Sequence, residues 1–157
     1  MSLVIIAAVS SNGVIGNSKL TTMPWRCSEE LKHFKRETLG NVVVMGRVTA
    51  EQVGPLPERE CIVLSRDLNY QLDGFITMTE EALLNETDLN PDVWYFICGG
   101  AKVYESFIPY SDTFIISTMK FEAEGDVLMP TISRNLRNYK IEESEEFDVN
   151  YYVAVCC

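Results

Sequence analysis

Val93-Trp94-Tyr95-Phe96-Ile97-Cys98-Gly99-Gly100-Ala101-Lys102-Val103-Tyr104 runs from an apolar strand pattern through two glycines into a helical one. A strand that hands over to a helix through glycine leaves the first helical amides pointing at whatever lies above the strand's carboxyl end. The spacing is not G-x-G-x-x-G, so this stretch alone reads as a tight turn as readily as a diphosphate site. Two further junctions repeat the pattern. Val42-Val43-Val44-Met45-Gly46-Arg47-Val48-Thr49 ends a strand in glycine, cation and hydroxyl, and Cys61-Ile62-Val63-Leu64-Ser65-Arg66 ends one in hydroxyl and cation. A basic residue at a helix start opposes the helix dipole, so Arg47 reads either as facing an anion or as half of an ion pair. Three strands that deliver such groups at their carboxyl ends predict an open α/β sheet with its ligand there.

Outward from these junctions, Leu3 to Val9, Val42 to Met45, Cys61 to Leu64, Val93 to Cys98 and Phe114 to Ile116 are continuous apolar runs. Such runs predict strands buried on both faces of a largely parallel sheet. Between them, helices are predicted over Ser28 to Thr38, Val48 to Val53, Thr79 to Leu84 with Thr79 as cap, and Ala101 to Phe107, ended by Pro109. The alternation requires crossover connections and helices on both sheet faces. Lys140 to Phe147 and Asn150 to Val155 lie too close together for a crossover and predict an antiparallel hairpin at one sheet edge. With no internal repeat or linker, residues 1–157 read as a single domain.

Composition narrows the function. The chain has 157 residues, 46% of them hydrophobic, and a formal net charge of -10. That charge argues against a nucleic-acid backbone or an anionic membrane as partner. No apolar run is long enough to span a bilayer, and Leu3 to Val9 lacks a basic leader, so it reads as a buried strand rather than a signal. Five cysteines without a C-x-x-C pair, and a single histidine, predict free thiols in a reducing cytoplasm and no structural metal.

The 13 Lys and Arg residues leave little basic content, so where they stand is informative. So is one acid. In the helix predicted from Ser28, with Ser28 as N-cap, Cys27, Leu31, Phe34 and Thr38 share one side, and Glu30 lies on the margin of that stripe. It reads either as a solvated first-turn glutamate that suits the helix dipole or as a half-buried carboxylate that grips a flat, nitrogen-rich ring. His33 projects from the stripe and reads as a surface residue. The long segment from Ser10 to Cys27, with Gly13, Gly16 and Met23-Pro24-Trp25, reads as a lid or binding loop leading to Glu30.

Taken in order, Ile15-Gly16, Met23-Pro24-Trp25, Glu30 with Phe34-Lys35, Val44-Met45-Gly46-Arg47 with Thr49, Pro55-Leu56-Pro57 with Arg59, Ile62-Val63-Leu64-Ser65-Arg66, Gly99-Gly100-Ala101-Lys102-Val103-Tyr104 and Glu124-Gly125-Asp126 resemble dihydrofolate reductase over the whole chain. The resemblance implies a mixed, mainly parallel sheet of about eight strands with a C-terminal antiparallel hairpin. It implies hydride transfer from NADPH to C6 of 7,8-dihydrofolate with protonation at N5. Glu30 matches the family's acid, Ser117 a hydroxyl beside it, Trp25 a residue holding water, and Tyr104 a neighbour of the nicotinamide. Ile6, Ala8, Phe34, Lys35, Arg59 and Cys98 match substrate positions, with Arg59 clamping the α-carboxylate. Ala8, Ile15, Gly16, Gly46, Arg47, Val48, Thr49, Leu64, Ser65, Arg66, Cys98, Gly99, Gly100, Ala101, Lys102, Val103 and Tyr104 match cofactor positions, with a cis bond between the two glycines.

The resemblance further implies an enzyme open to antifolates such as methotrexate and trimethoprim, while the free thiols point to the cytoplasm and the lack of an evident second interface to a monomer. Ala50 and Ala101 depart from a common Trp and a common Gly of the family, Cys98 from an aliphatic residue, and the segment from Gly16 to Pro24 is longer than in short bacterial members. A pyrimidine reductase on the same scaffold, or a nucleotide-binding protein without turnover, is the alternative; Glu30 and Arg59 argue against the first, and Glu30, Trp25 and Ser117 against the second.

Overall fold

Leu3–Val9 (β1) is buried along nearly its whole length and lies at the middle of the sheet, as its unbroken apolar character requires. The computed structural model describes residues 2–20 and 23–156, so Cys157 and part of the 10–27 segment lie outside it. In chain order follow Val14–Gly16 (β2), Ser28–Thr38 (α1), Val42–Gly46 (β3), Arg47–Val53 (α2), Glu60–Leu64 (β4), Ile76–Met78 (β5), Glu80–Leu89 (α3), Tyr95–Ile97 (β6), Ala101–Phe107 (α4), Thr113–Met119 (β7), Val127–Leu128 (β8), Leu136–Glu143 (β9) and Phe147–Ala154 (β10). Eight strands form one sheet in the order β5-β4-β3-β6-β1-β7-β10-β9, and β2 pairs with β8 apart from it.

The pairs from β5 to β7 are parallel, and β10 runs antiparallel to both β7 and β9. Two cores form, one on each face. Leu83 of α3 and Tyr104 and Phe107 of α4 pack with Leu3, Ile5, Val44 and Ile97. On the other face Cys27, Phe34 and Ala50, from the regions of α1 and α2, pack with Val4, Ile6, Val43 and Met45. The chain therefore leaves β1 over one face through α1 to β3, and leaves β6 over the opposite face through α4 to β7. Connections that diverge in this way leave a crevice at the carboxyl ends of β1, β3 and β6, the place where open α/β sheets bind ligands. No helix of the described residues is long and apolar enough to cross a membrane.

Several boundaries differ from the sequence reading. The strand predicted from Val93 begins at Tyr95, where pairing with Leu3 and Val42 starts, and Val93 and Trp94 remain exposed. Phe114 to Ile116 lengthens to seven residues because β1 and β10 flank it. The hairpin turn lies at 144–146, starting four residues before the predicted one at 148–149. Ser144 closes it, its amide donating to the Phe147 carbonyl at 3.0 Å, and Phe147 is buried as the first residue of β10. Thr79 caps α3 as expected, its hydroxyl accepting from the Ala82 amide at 3.1 Å, but the helix continues to Leu89.

The start of α1 also needs correction. Ser28 is already helical, and Cys27 is the N-cap with no side-chain cap bond. The Cys27 thiol instead donates to Glu146 Oε2 at 3.2 Å, tying the helix start to the β9–β10 turn. The buried face of α1 is rotated from the predicted stripe. Glu30, His33 and Thr38 are buried, whereas Leu31 is 49% exposed. Burial of His33 is a tertiary event, since Phe147 and Tyr151 of β10 stand at 6.3 Å from its ring.

Candidate active site

Glu30 enters the crevice because α1 packs across the face that carries Ile6, Ile115 and Met119. It is 8% exposed. Burial pushes its carboxyl up to about 7, and among the described residues no ion pair or hydrogen bond holds the charge. Ser117 is buried and sits opposite Ala8 in the β1–β7 register, and strand alternation puts it on the face of Ile115 and Met119, the face covered by α1. The described hydrogen bonds include none between Ser117 and Glu30. Phe34, one turn beyond Glu30, is half-buried against the same core.

From the opposite face Tyr104 reaches through to the end of β1. Its hydroxyl donates to the Ile6 carbonyl at 2.8 Å, and burial, with smaller contributions from Cys98 and Glu30, raises its pKa well above the ordinary value. Cys98 follows β6, its thiol donating to the Phe96 carbonyl at 3.3 Å and pushed up to about 12 by burial. A thiol so held is a wall of the site rather than a nucleophile. Trp25 lies against Phe121, ring centroids 5.8 Å apart and edge-on.

The two glycine junctions meet. The Gly99–Gly100 bond is cis, and the Gly46 amide donates to the Gly99 carbonyl at 2.8 Å. A Cβ at Gly46 would stand 2.9 Å from Val103 Cγ2, and one at Gly100 would stand 3.3 Å from Thr49 Oγ1. A side chain at Gly46 would require Val103 to shift and one at Gly100 would crowd Thr49, so glycine suits both places where β3 and β6 hand over to α2 and α4, and it leaves bare backbone of the kind a ligand carrying phosphates can approach closely.

Of the charged residues at the strand-to-helix junctions, Arg47 already has a partner. Arg47 is exposed, pairs with Glu51 Oε1 at 3.1 Å and lies 4.5 Å above the Tyr70 ring, so of its two readings the ion pair is the one seen here. The Ser65 hydroxyl donates to the Asp67 carbonyl at 3.0 Å, while Val48, Arg66 and Lys102 are exposed. Leu64 is buried at the end of β4, Ala101 and Val103 are half-buried in α4. Arg59 donates to the Pro57 carbonyl at 3.0 Å and to Thr38 Oγ1 at 3.1 Å, which anchors it beside the end of α1, with Lys35 exposed on that helix.

Ile15 and Gly16 lie on β2, whose pairing with β8 shapes the lid. Ser18 donates to Asp126, its amide to Oδ1 at 2.8 Å and its hydroxyl to Oδ2, and Asn17 donates to the Glu124 carbonyl at 3.3 Å. A Cβ at Gly125 would fall 2.2 Å from the Gly16 carbonyl oxygen, so only glycine permits this approach. Sequence reasoning did not assign these lid anchors, nor Glu51, Tyr70 and Phe121. Glu51 lies only one turn from Arg47, a local i,i+4 pairing, whereas Tyr70, Phe121 and the 124–126 anchors are distant in sequence from the residues they serve.

Comparison with known proteins decides the family. The family model for dihydrofolate reductase matches residues 2–155. The chain belongs to the dihydrofolate reductase family. It is 36% identical to the dihydrofolate reductase of Mycoplasma genitalium, the match covering 96% of each chain, and 35% identical to that of Mycoplasma pneumoniae over 94% of each. Its structure is similar to a dihydrofolate reductase from Enterococcus faecalis solved with NADP(H) and RAB-propyl, with a TM-score of 0.88, 30% identity, and 98% and 96% of the two chains covered. The protein is accordingly an enzyme, an NADPH-dependent oxidoreductase of this family. The eight-stranded sheet with its antiparallel C-terminal pair is the expected fold.

Proposed function

We propose that the protein reduces 7,8-dihydrofolate to 5,6,7,8-tetrahydrofolate, with hydride delivered to C6 and a proton to N5, and that Glu30 is the residue that reads the pterin. The observation that carries this is the buried carboxyl in the crevice, pushed up to about 7 with no partner among the described residues. A buried acid without a partner is costly, and a ring that donates from N3 and its 2-amino group satisfies both oxygens at once. With a pKa near 7 the group exchanges its proton around neutral pH: as the carboxylate it accepts both pterin donors, and its protonated form favours protonation at N5 through water.

NADPH supplies the hydride when bound. The bare backbone of Gly46, Gly99 and Gly100 fits its pyrophosphate, with Thr49, Ser65, Arg47, Arg66 and Lys102 around the phosphates. Ala8, Ile15, Gly16, Val48, Leu64, Ala101 and Val103 complete the cofactor wall, and Tyr104 and Cys98 lie where its nicotinamide meets the substrate. Ile6 and Ala8 face the pterin, Phe34 packs on its ring, Trp25 holds water beside it, and Ser117 supports Glu30. Arg59, aided by Lys35, takes the substrate's α-carboxylate through a planar fork. The same reading makes the protein a cytoplasmic monomer that binds methotrexate and trimethoprim in the pterin site.

The test follows NADPH oxidation with dihydrofolate in the parent and in Glu30→Gln. No oxidation by the parent overturns the activity, and unchanged turnover in the variant removes the role given to Glu30.

A further inference from the structure

A second pocket lies away from the crevice, between α1 and the β9–β10 hairpin. Its volume is about 220 Å³, and Glu29, His33, Arg36, the run from Glu142 to Glu146, Phe147 and Val149 line it. Its inner wall is apolar and aromatic, formed by Phe147, Val149 and the His33 ring. His33 is 2% exposed, and its Nε2 is buried without a hydrogen-bond partner. Burial holds the imidazole below its ordinary range, so at neutral pH it is uncharged and one ring nitrogen can accept from a donor.

The rim is acidic, and most of its acids lack a cation. Glu29 pairs with Lys32 at 3.2 Å and Glu142 with Lys140 at 2.9 Å. Glu142 also accepts from the Tyr151 hydroxyl, and Glu146 accepts only the Cys27 thiol at 3.2 Å. Glu143 and Glu145 make no salt bridge among the described residues, and neither does Arg36. Adjacent like charges on a turn repel one another, and an incoming cation relieves that repulsion. Among the described residues no group of three or more His, Cys, Asp or Glu is arranged to hold a metal ion, and the apolar wall of Phe147 and Val149 beside the acids suits a cation that carries an alkyl stem.

We propose that this pocket binds a guanidinium or primary ammonium group carried on a short aliphatic stem, the stem against Phe147 and His33 and the cation among Glu143, Glu145 and Glu146. The chemistry is shared by a free small amine and by a basic side chain of a partner protein. The site stands independently of the reductase reading.

The single histidine of the chain gives one imidazole signal to follow by NMR. Titration of the full chain with n-butylguanidinium at constant ionic strength is expected to shift the His33 resonances saturably, with half-saturation near about 1 mM, a reasonable scale for so small a ligand. The exposed pair Glu143→Gln/Glu145→Gln is expected to weaken binding at least about fivefold while the spectrum stays folded, as loss of two rim charges implies. N-acetyl-Gly-Arg-Gly-amide distinguishes the sources. Saturation by the peptide at lower concentration assigns the site to a partner's side chain, and saturation by the free guanidinium alone assigns it to a small molecule. A linear response to both, matched by sodium chloride or unchanged in the double variant, overturns the proposal and leaves a solvated acidic face.

Discussion

Glu30 and Arg47 are both ionisable residues in the first turn of a helix, and they have opposite fates. Glu30 is buried, without a partner among the described residues, and its pKa is displaced toward neutrality. Arg47 is exposed, held by Glu51 and stacked on Tyr70. The acid therefore carries a desolvation cost that a bound hydrogen-bond donor can offset, whereas the arginine rests in a solvated pair. On the proposed assignment, substrate recognition is preorganised into the core, and recognition of the cofactor's phosphates waits at the surface.

The harshest challenge to that contrast is Glu30→Gln, which is expected to lower turnover by about 10²–10⁴-fold, measured by steady-state NADPH oxidation. Retention of full activity would mean that burial of the acid serves only packing. A second effect is on pH. In the parent, kcat/KM for dihydrofolate is expected to hold level below about pH 7 and to fall above it, because the carboxyl loses its proton there, and the Gln variant is expected to lose this break.

Stability should move with the same proton. The folded acid titrates at about 7 against an ordinary 4.5, so between these values the folded state retains a proton that the unfolded chain has released. Its contribution is complete below pH 4.5 and lost as pH rises through 7, amounting to about 3 kcal/mol. Urea titrations across that range should show the loss in the parent and not in Glu30→Gln.

At the arginine the expected sign is different. Arg47→Ala should raise the KM for NADPH about tenfold, the scale of a lost charged hydrogen bond, while leaving the melting temperature unchanged. Glu51→Gln, which frees Arg47, should lower that KM or leave it alone; an increase would show that the pair positions the arginine rather than competing with phosphate. The smallest effect belongs to Tyr104→Phe, which strips the Ile6 carbonyl of its donor. Calorimetry should show a loss of about 1 kcal/mol and a melting point lower by about 3 °C.

The central strands were legible because residues buried on both faces must be apolar throughout, and Leu3–Val9, Val42–Gly46 and Glu60–Leu64 carry that mark almost unbroken. The short strands Val14–Gly16, Ile76–Met78 and Val127–Leu128 carry no such run and were missed. Glu30, Gly46 and Gly99-Gly100 were visible as local anomalies, an acid beside an apolar stripe and glycines where strand turns to helix. His33 was misread for the same reason: its helix pattern is polar there, and the aromatic residues that bury it arrive on a strand more than a hundred positions later.

By itself, then, the sequence determined which segments must be buried, where the backbone must lie bare, and which acid is out of place, since burial, glycine and helix periodicity act over a few residues. Only the tertiary structure decided that Arg47 rests on Glu51 and Tyr70, that Cys27 rather than Ser28 begins α1, that Gly125 must yield to the Gly16 carbonyl, and that His33 closes a second, acidic pocket. Apart from the one-turn pair of Arg47 with Glu51, these features depend on contacts between residues far apart in the chain, such as Arg47 with Tyr70, Cys27 with Glu146, Gly125 with Gly16 and His33 with Phe147, and their energies depend on where the folded backbone places them.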